Sequence, residues 1–122
     1  MKILIYGSRG WIGQQVIQYL IKEEIEYVEG EVRVENTENL EKEIETVKPT
    51  NILCLIGRTH GSIEGKVYTT IDYLEQKGKI FENVRDNLFS PISLALLCYK
   101  KNIHLSYIGT GCIFTYNEEH TE

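Results

Sequence analysis

The chain has 122 residues, of which 42% are hydrophobic and 25% charged, with a formal net charge of −5. One domain of ordinary size fits that length, with a core large enough to fold. The acidic balance without a basic stripe argues against nucleic acid as a partner, no run is long and apolar enough to span a membrane, and the first residues form a strand-like pattern rather than a signal peptide.

Three cysteines, Cys54, Cys98 and Cys112, are scattered and odd in number. That is not a disulfide framework, and it points to a reducing, cytoplasmic setting. Cys54 and Cys98 lie in apolar runs and are expected to be core. His60, His104 and His120 share no ligand spacing with one another or with the cysteines, so no metal site is expected.

In chain order, Lys2 to Tyr6 is a short β-rich run. Gly10 to Lys22 has helical periodicity, with Trp11, Ile12, Val16, Leu20 and Ile21 on one face. Ile25 to Val28 is a second strand, which Val32 and Val34 either extend or follow as a separate short one. Thr37 to Val47 is a helix with Leu40, Ile44 and Val47 on its apolar face and Thr37 as its N-cap. Asn51 to Ile56 is the near-continuous apolar run of a parallel strand buried on both faces. Arg58 to Lys66, with its glycines, is a loop, and Tyr68 to Gly78 a loop with a helical turn. Ile80 to Lys101 carries a long helical pattern through Val84, Leu88, Ile92, Leu96 and Tyr99. Pro91 inside it should kink or split the helix. Ile103 to Ile108 is a last strand. The order β-α-β-α-β-α-β implies an α/β fold, a Rossmann-type doubly wound parallel sheet with right-handed crossovers.

The turn between the first strand and the first helix reads Gly7-Ser8-Arg9-Gly10-Trp11-Ile12-Gly13. In a doubly wound sheet this turn holds the pyrophosphate of a dinucleotide, because unpaired N–H groups and the helix dipole favour an anion there. Gly7 permits the tight turn, Gly10 lets the backbone approach phosphate, and Gly13 lets the helix pack closely on the strand. Glycine spacing alone is a weak signal; its place between this strand and this helix strengthens it. For the cofactor type two readings stay open. Glu29, at the end of the second strand, would bond a ribose 2′-hydroxyl and serve NAD. Arg9 in the glycine loop and Arg33 beyond the second strand would suit a 2′-phosphate, which favours NADP(H).

Two further stretches end strands, where ligands bind in such sheets. In Leu55-Ile56-Gly57-Arg58-Thr59-His60-Gly61, the backbone at Ile56 and Gly57 would pack on a ribose, and Thr59 would approach the nicotinamide side. In Tyr107-Ile108-Gly109-Thr110-Gly111-Cys112-Ile113-Phe114, the Thr110 hydroxyl would polarise a substrate carbonyl. The Cys112 thiol would act as an acid or base beside a ketone.

With these stretches, "GSRGWIG", "KPTNILCLIGRTH" and "YIGTGCIF", the chain resembles the reductases that make nucleotide-linked rhamnose. These are extended short-chain dehydrogenases, similar to dTDP-4-dehydrorhamnose reductase and to the bifunctional UDP-4-keto-6-deoxyglucose 3,5-epimerase/4-reductases of plants and large DNA viruses. The G-x-x-G-x-x-G spacing is theirs. The resemblance implies NADPH at Gly7, Arg9, Gly10, Trp11, Ile12 and Gly13, and a nucleotide-linked keto sugar as substrate. It makes Thr110 the hydroxyl of a Ser/Thr-Tyr-Lys set and Cys112 the acid/base for epimerisation at C3 and C5. It also places Asn87 at the site, with its carbonyl freed by Pro91.

The family's Tyr-x-x-x-Lys should follow Thr110, and the 122 residues do not contain it there. Tyr73-Leu74-Glu75-Gln76-Lys77 has the spacing but precedes that strand, and it is rejected. The expectation is therefore the N-terminal, cofactor-binding half of a longer enzyme, inactive alone. Its last strand would expose an edge and make it a homodimer or marginally stable. The alternative is a non-catalytic NADP(H)-binding regulatory module.

Overall fold

The computed structural model describes residues 1–109. Thr110 and Cys112 lie outside the described residues.

Four strands form one parallel sheet: β1 (Lys2–Tyr6), β2 (Glu26–Glu29), β3 (Asn51–Cys54) and β6 (His104–Tyr107), in the order β2-β1-β3-β6. The crossovers are α1 (Trp11–Lys22), α2 (Thr37–Val47) and a final helical stretch ending in α4 (Ser90–Lys101). From β1 the chain goes first to β2 on one side and then to β3 on the other. That reversal opens a crevice between the carboxyl ends of β1 and β3, where such sheets bind ligands.

The core lies mainly on one face. Leu4, Tyr6, Ile52 and Cys54 pack with Leu40 and Ile44 of α2 and with Leu94 and Cys98 of α4. Alternation along the strands turns Ile3, Ile5 and Leu53 to the other face, where a right-handed crossover puts α1. Cys54 and Cys98 are buried free thiols, as expected; burial raises both, Cys98 to about 11, so they stay protonated.

Several expectations are corrected. Val32 and Val34 belong to no strand; they lie in the β2–α2 loop, and Val34 is buried beneath it. Asn36 rather than Thr37 caps α2, its side chain accepting from the Asn39 amide at 3.2 Å. The loop from Arg58 to Lys66 contains half of a hairpin, β4 (Gly61–Ile63) paired with β5 (Lys66–Tyr68), and a 3₁₀ turn follows at Ile71–Tyr73. Gly61 is needed there, because a Cβ would sit 2.6 Å from the Tyr73 ring.

The long helical pattern splits as Pro91 suggested. It begins as α3 (Ile80–Val84), widens into a π-helical turn over Arg85–Phe89, and resumes as α4 with Pro91 in its first turn. The widened turn lets Arg85 O accept from both the Ser90 amide and the Ser90 hydroxyl. The stripe from Val84 to Tyr99 is on the exposed side: Leu96 is 58% and Tyr99 86% exposed. The buried stripe is Asp86, Ser90, Leu94 and Cys98, each four residues apart. On α1, Leu20 is buried as expected, but Trp11 is 80% exposed and Ile12 and Ile21 are exposed too, and the other buried position is Gly13.

Candidate functional site

Two cavities meet over the glycine loop at the carboxyl end of the sheet. One, of about 480 Å³, lies toward Gly30–Glu35 in the β2–α2 loop. The other, of about 630 Å³, lies toward Trp11, Asn87 and Tyr107–Gly109. Both are lined by Gly7, Gly10 and the segment Leu55–His60. Each volume is that of a small-molecule pocket, roughly 300–1,000 Å³.

The loop between the cavities is built by its glycines for different reasons. Gly7 has φ +87°, and a Cβ there would stand 2.8 Å from the Leu55 carbonyl, so it sets both the turn and the approach of β3. A Cβ on Gly13 would stand 2.4 Å from Ser8 O and 2.5 Å from Gly7 O, so this residue packs the helix onto the turn itself rather than onto the strand. A Cβ on Gly10 would touch only Gly7 O, at 3.4 Å. The protein leaves that space open. Gly10 also begins α1 with no side-chain cap, and no acidic residue stands in the first turn. The orphan N–H groups of this helix start therefore have no side-chain partner beside an open backbone cradle, a combination that suits a phosphate.

The β2–α2 loop is held against this cradle by Glu43, a residue the sequence reading did not single out. Its Oε1 accepts from the backbone amides of Glu31 and Val32, at 2.9 and 3.3 Å. Its Oε2 accepts from the Tyr6 hydroxyl at 2.6 Å. Burial, with the Glu43 hydrogen bond and charge beside it, raises the Tyr6 hydroxyl well above its ordinary value, so it stays a donor. Gly30 fits under the loop because a Cβ would strike the Tyr6 ring at 2.4 Å. The loop thus presents Arg33 at the first cavity, while Glu29 is exposed and outside its lining. Arg9 lines the same cavity from the glycine loop.

On the other side, Asn87 acts through its side-chain amide, not through the carbonyl that Pro91 was expected to free. Its Oδ1 accepts from the Arg58 amide at 2.9 Å, and its Nδ2 donates to Arg58 O and to Asn83 Oδ1, both at 3.0 Å. One side chain thereby satisfies both backbone groups of Arg58 and fixes the Ile56–Thr59 segment over the crevice. The side chain of Arg58 reaches Asp86, Nε to Oδ2 at 2.9 Å, and Asp86 also receives Arg85 at 2.6 and 3.0 Å. Burial pushes Asp86 up, but hydrogen bonds from Arg85 and Arg58 outweigh it and hold the carboxyl below its ordinary value.

Glu82 joins the same arrangement, accepting from Lys79 and from the Tyr73 hydroxyl. That hydroxyl bond, and the burial of Tyr73, place the rejected Tyr73-x-x-x-Lys77 pair outside the lining of both cavities.

Of the residues singled out from the sequence, Gly7, Gly10, Ile56, Gly57 and Thr59 line both cavities, Arg9 and Arg33 the first, and Trp11, Ile12, Gly13 and Asn87 the second. Thr110 follows in sequence directly on Gly109, which lines the second. The described residues contain no cluster of His, Cys, Asp or Glu able to hold a metal, and no helix long and apolar enough to cross a membrane.

No family model matches the chain. It is 49% identical over 114 residues to a protein of Acanthamoeba polyphaga mimivirus, covering 93% of this chain and 38% of that one. The crystal structure of the mimivirus UDP-rhamnose synthase superposes with a TM-score of 0.89 at 47% identity, over 99% of this chain and 41% of that chain. An Arabidopsis thaliana trifunctional UDP-glucose 4,6-dehydratase/UDP-4-keto-6-deoxy-D-glucose 3,5-epimerase/UDP-4-keto-L-rhamnose-reductase is 33% identical over 122 residues, all of this chain and 17% of that protein. A Bacillus anthracis dTDP-4-dehydrorhamnose reductase in complex with NADP shares the fold, with a TM-score of 0.68 at 17% identity over 85% of this chain and 34% of that one. A further fold neighbour, a Thermus thermophilus UDP-glucose 4-epimerase, is complexed with NAD. The chain spans well under half the length of each of these relatives. Its fold is Rossmann-type, and it is homologous to a portion of the rhamnose-forming nucleotide-sugar synthases and reductases.

Proposed function

We propose that the two cavities are one dinucleotide site, and that this chain is the NADPH-binding half of an epimerase/reductase that converts UDP-4-keto-6-deoxyglucose to UDP-rhamnose. The observation that carries the reading is the uncapped start of α1 over Gly10, at the junction of the cavities. In this reading the loop N–H groups hold the pyrophosphate. Arg33 and Arg9 meet the 2′-phosphate in the first cavity, and Asn87 keeps the Ile56–Thr59 backbone in place beneath the nicotinamide half. When bound, the reduced nicotinamide supplies the hydride for the sugar 4-ketone.

Thr110 is the donor to that ketone. Cys112 moves the protons at C3 and C5, which the adjacent carbonyl acidifies. Neither completes a turnover without the Tyr-x-x-x-Lys of the family, so the 122 residues alone are expected to bind and not to react. We include a cytoplasmic location and self-association through the edge of β6 in the same proposal. A regulatory module that binds NADP(H) without chemistry has the same cavities and the same lack of turnover.

The cofactor choice is tested by titrating the chain with NADPH and NADH. Arg33→Ala is expected to weaken NADPH about tenfold and NADH little, since a charge-assisted arginine–phosphate contact contributes roughly 1.5–3 kcal/mol. Arg9→Ala should act in the same direction. Unchanged preference in both variants removes the 2′-phosphate from the account.

A further inference from the structure

The loop that presents Arg33 also presents its opponent. Glu35 lines the first cavity with Arg33, and its Oε1 accepts from Arg33 Nε. The Glu35 side chain is 26% exposed and that of Arg33 65%. Arg85 Nε lies 3.9 Å from the same Glu35 oxygen. Arg85 is nonetheless committed elsewhere, with Nε and Nη2 on Asp86 at 2.6 and 3.0 Å. The negative charge of Glu35 therefore falls chiefly on Arg33. Burial works against that charge, but the Arg33 hydrogen bond keeps the carboxyl below its ordinary value, so it is ionised at neutral pH. Glu29, the acid expected to meet a ribose hydroxyl, does not line the cavity, whereas Glu35 does.

We propose that Glu35 sets the discrimination between a phosphorylated and an unphosphorylated adenosine ribose. As the counter-ion of Arg33, it lowers the affinity of this cavity for a 2′-phosphate. Its carboxylate also offers a 2′-hydroxyl the acceptor that Glu29 cannot. The phosphate must compete with Glu35 for the Arg33 guanidinium, and its charges meet a carboxylate one side chain away. Even in a water-rich setting, a unit charge at such a distance changes anion affinity several-fold. The proposal rests on Arg33 being the 2′-phosphate contact.

The test is equilibrium titration of the full chain with 2′,5′-ADP and with 5′-AMP, which differ only in the 2′-phosphate, for the wild type, Glu35→Gln and Arg33→Ala. Glutamine keeps an acceptor for Arg33 Nε and removes only the charge. Glu35→Gln is expected to bind 2′,5′-ADP about three- to tenfold more tightly, with 5′-AMP unchanged or weaker, and the gain should shrink in roughly 0.5 M salt. Arg33→Ala is expected to abolish the preference for 2′,5′-ADP. A Glu35→Gln chain that binds 2′,5′-ADP no better than wild type, or tightens both ligands equally, overturns the role of Glu35. If Arg33→Ala still weakens 2′,5′-ADP in that case, the cofactor reading survives. If Arg33→Ala changes nothing, the cofactor reading fails first and this proposal with it.

Discussion

Gly13→Ala is expected to destabilise the chain severely, while Gly10→Ala is expected to leave it folded and unable to bind a dinucleotide well. The two glycines are three residues apart, but what surrounds them differs. A methyl on Gly13 would stand 2.4 Å from Ser8 O and 2.6 Å from Ser8 C, both backbone atoms of the turn that Gly7 sets. Nothing there can rotate away, so α1 must shift off the sheet. Overpacking against backbone costs about 3 kcal/mol, which lowers the melting temperature of a chain this size by roughly 10 °C. A methyl on Gly10 would meet only Gly7 O at 3.4 Å, and its cost in stability is about 1 kcal/mol or less, that of alanine at an N-cap. It would, however, fill the cradle in front of the α1 amides, and NADPH affinity should fall more than tenfold. Thermal melts and titrations of the two variants separate the effects. Equal destabilisation by both would mean that the loop is only a structural turn.

Asp86→Ala is expected to cost about 2 kcal/mol at neutral pH and to flatten the acid limb of the stability profile. Breaking a buried ion pair by removing one partner typically costs about 3–5 kcal/mol. Here Arg58 and Arg85 keep 38% and 25% of their side-chain surface, and water recovers part of that loss. Two guanidiniums would then lose their shared carboxylate and keep only the longer contacts of Arg58 to Glu82 at 3.6 Å and of Arg85 to Glu35 at 3.9 Å, so the segment Leu55–His60, which lines both cavities, should loosen as well. The folded-state pKa of Asp86 is lowered, as are those of Glu35 and Glu82. Their stabilisation is therefore complete above the ordinary carboxylate range near pH 4 and is lost as pH falls through the lower folded values. The wild type should lose stability on acidification from about pH 4 downward, and Asp86→Ala should lose less. Parallel melting curves for the two proteins across that range would refute the assignment.

Most of the sheet was legible because strand and helix periods differ and each element is short. The boundaries of α2 match its pattern, and the β1–α1 turn announced itself by glycine spacing before a helical run. The stretch around Pro91 was legible in its break but not in its face. Val84, Leu88, Ile92, Leu96 and Tyr99 recur at helical spacing and are apolar, yet the buried positions are Asp86, Ser90, Leu94 and Cys98. A carboxylate and a serine on a core stripe lower its apparent hydrophobicity. Only the arginines that meet Asp86, one of them from a distant loop, explain why it is there.

The site divides in the same way. Asn87 was marked for its backbone carbonyl rather than for the side-chain amide that holds Arg58, whereas Gly7, Gly10 and Gly13, whose role is backbone freedom and close approach, could be named from the chain alone. Glu43, Asp86 and Glu35 could not, because each acts on partners brought near by folding. Glu43 lies three residues after Leu40 on α2, at the margin of its buried face, and that spacing is the one signal that could have marked it.

The central claim is that the two cavities bind one dinucleotide across the glycine loop. It is tested most directly by following backbone amide resonances of the chain as NADPH is added. The account predicts saturable shifts, with one common affinity, at Gly10 and Trp11, at Arg33 in the first cavity, and at Gly57 and Asn87 in the second. Shifts confined to one cavity, or titrating with two unrelated affinities, would contradict it.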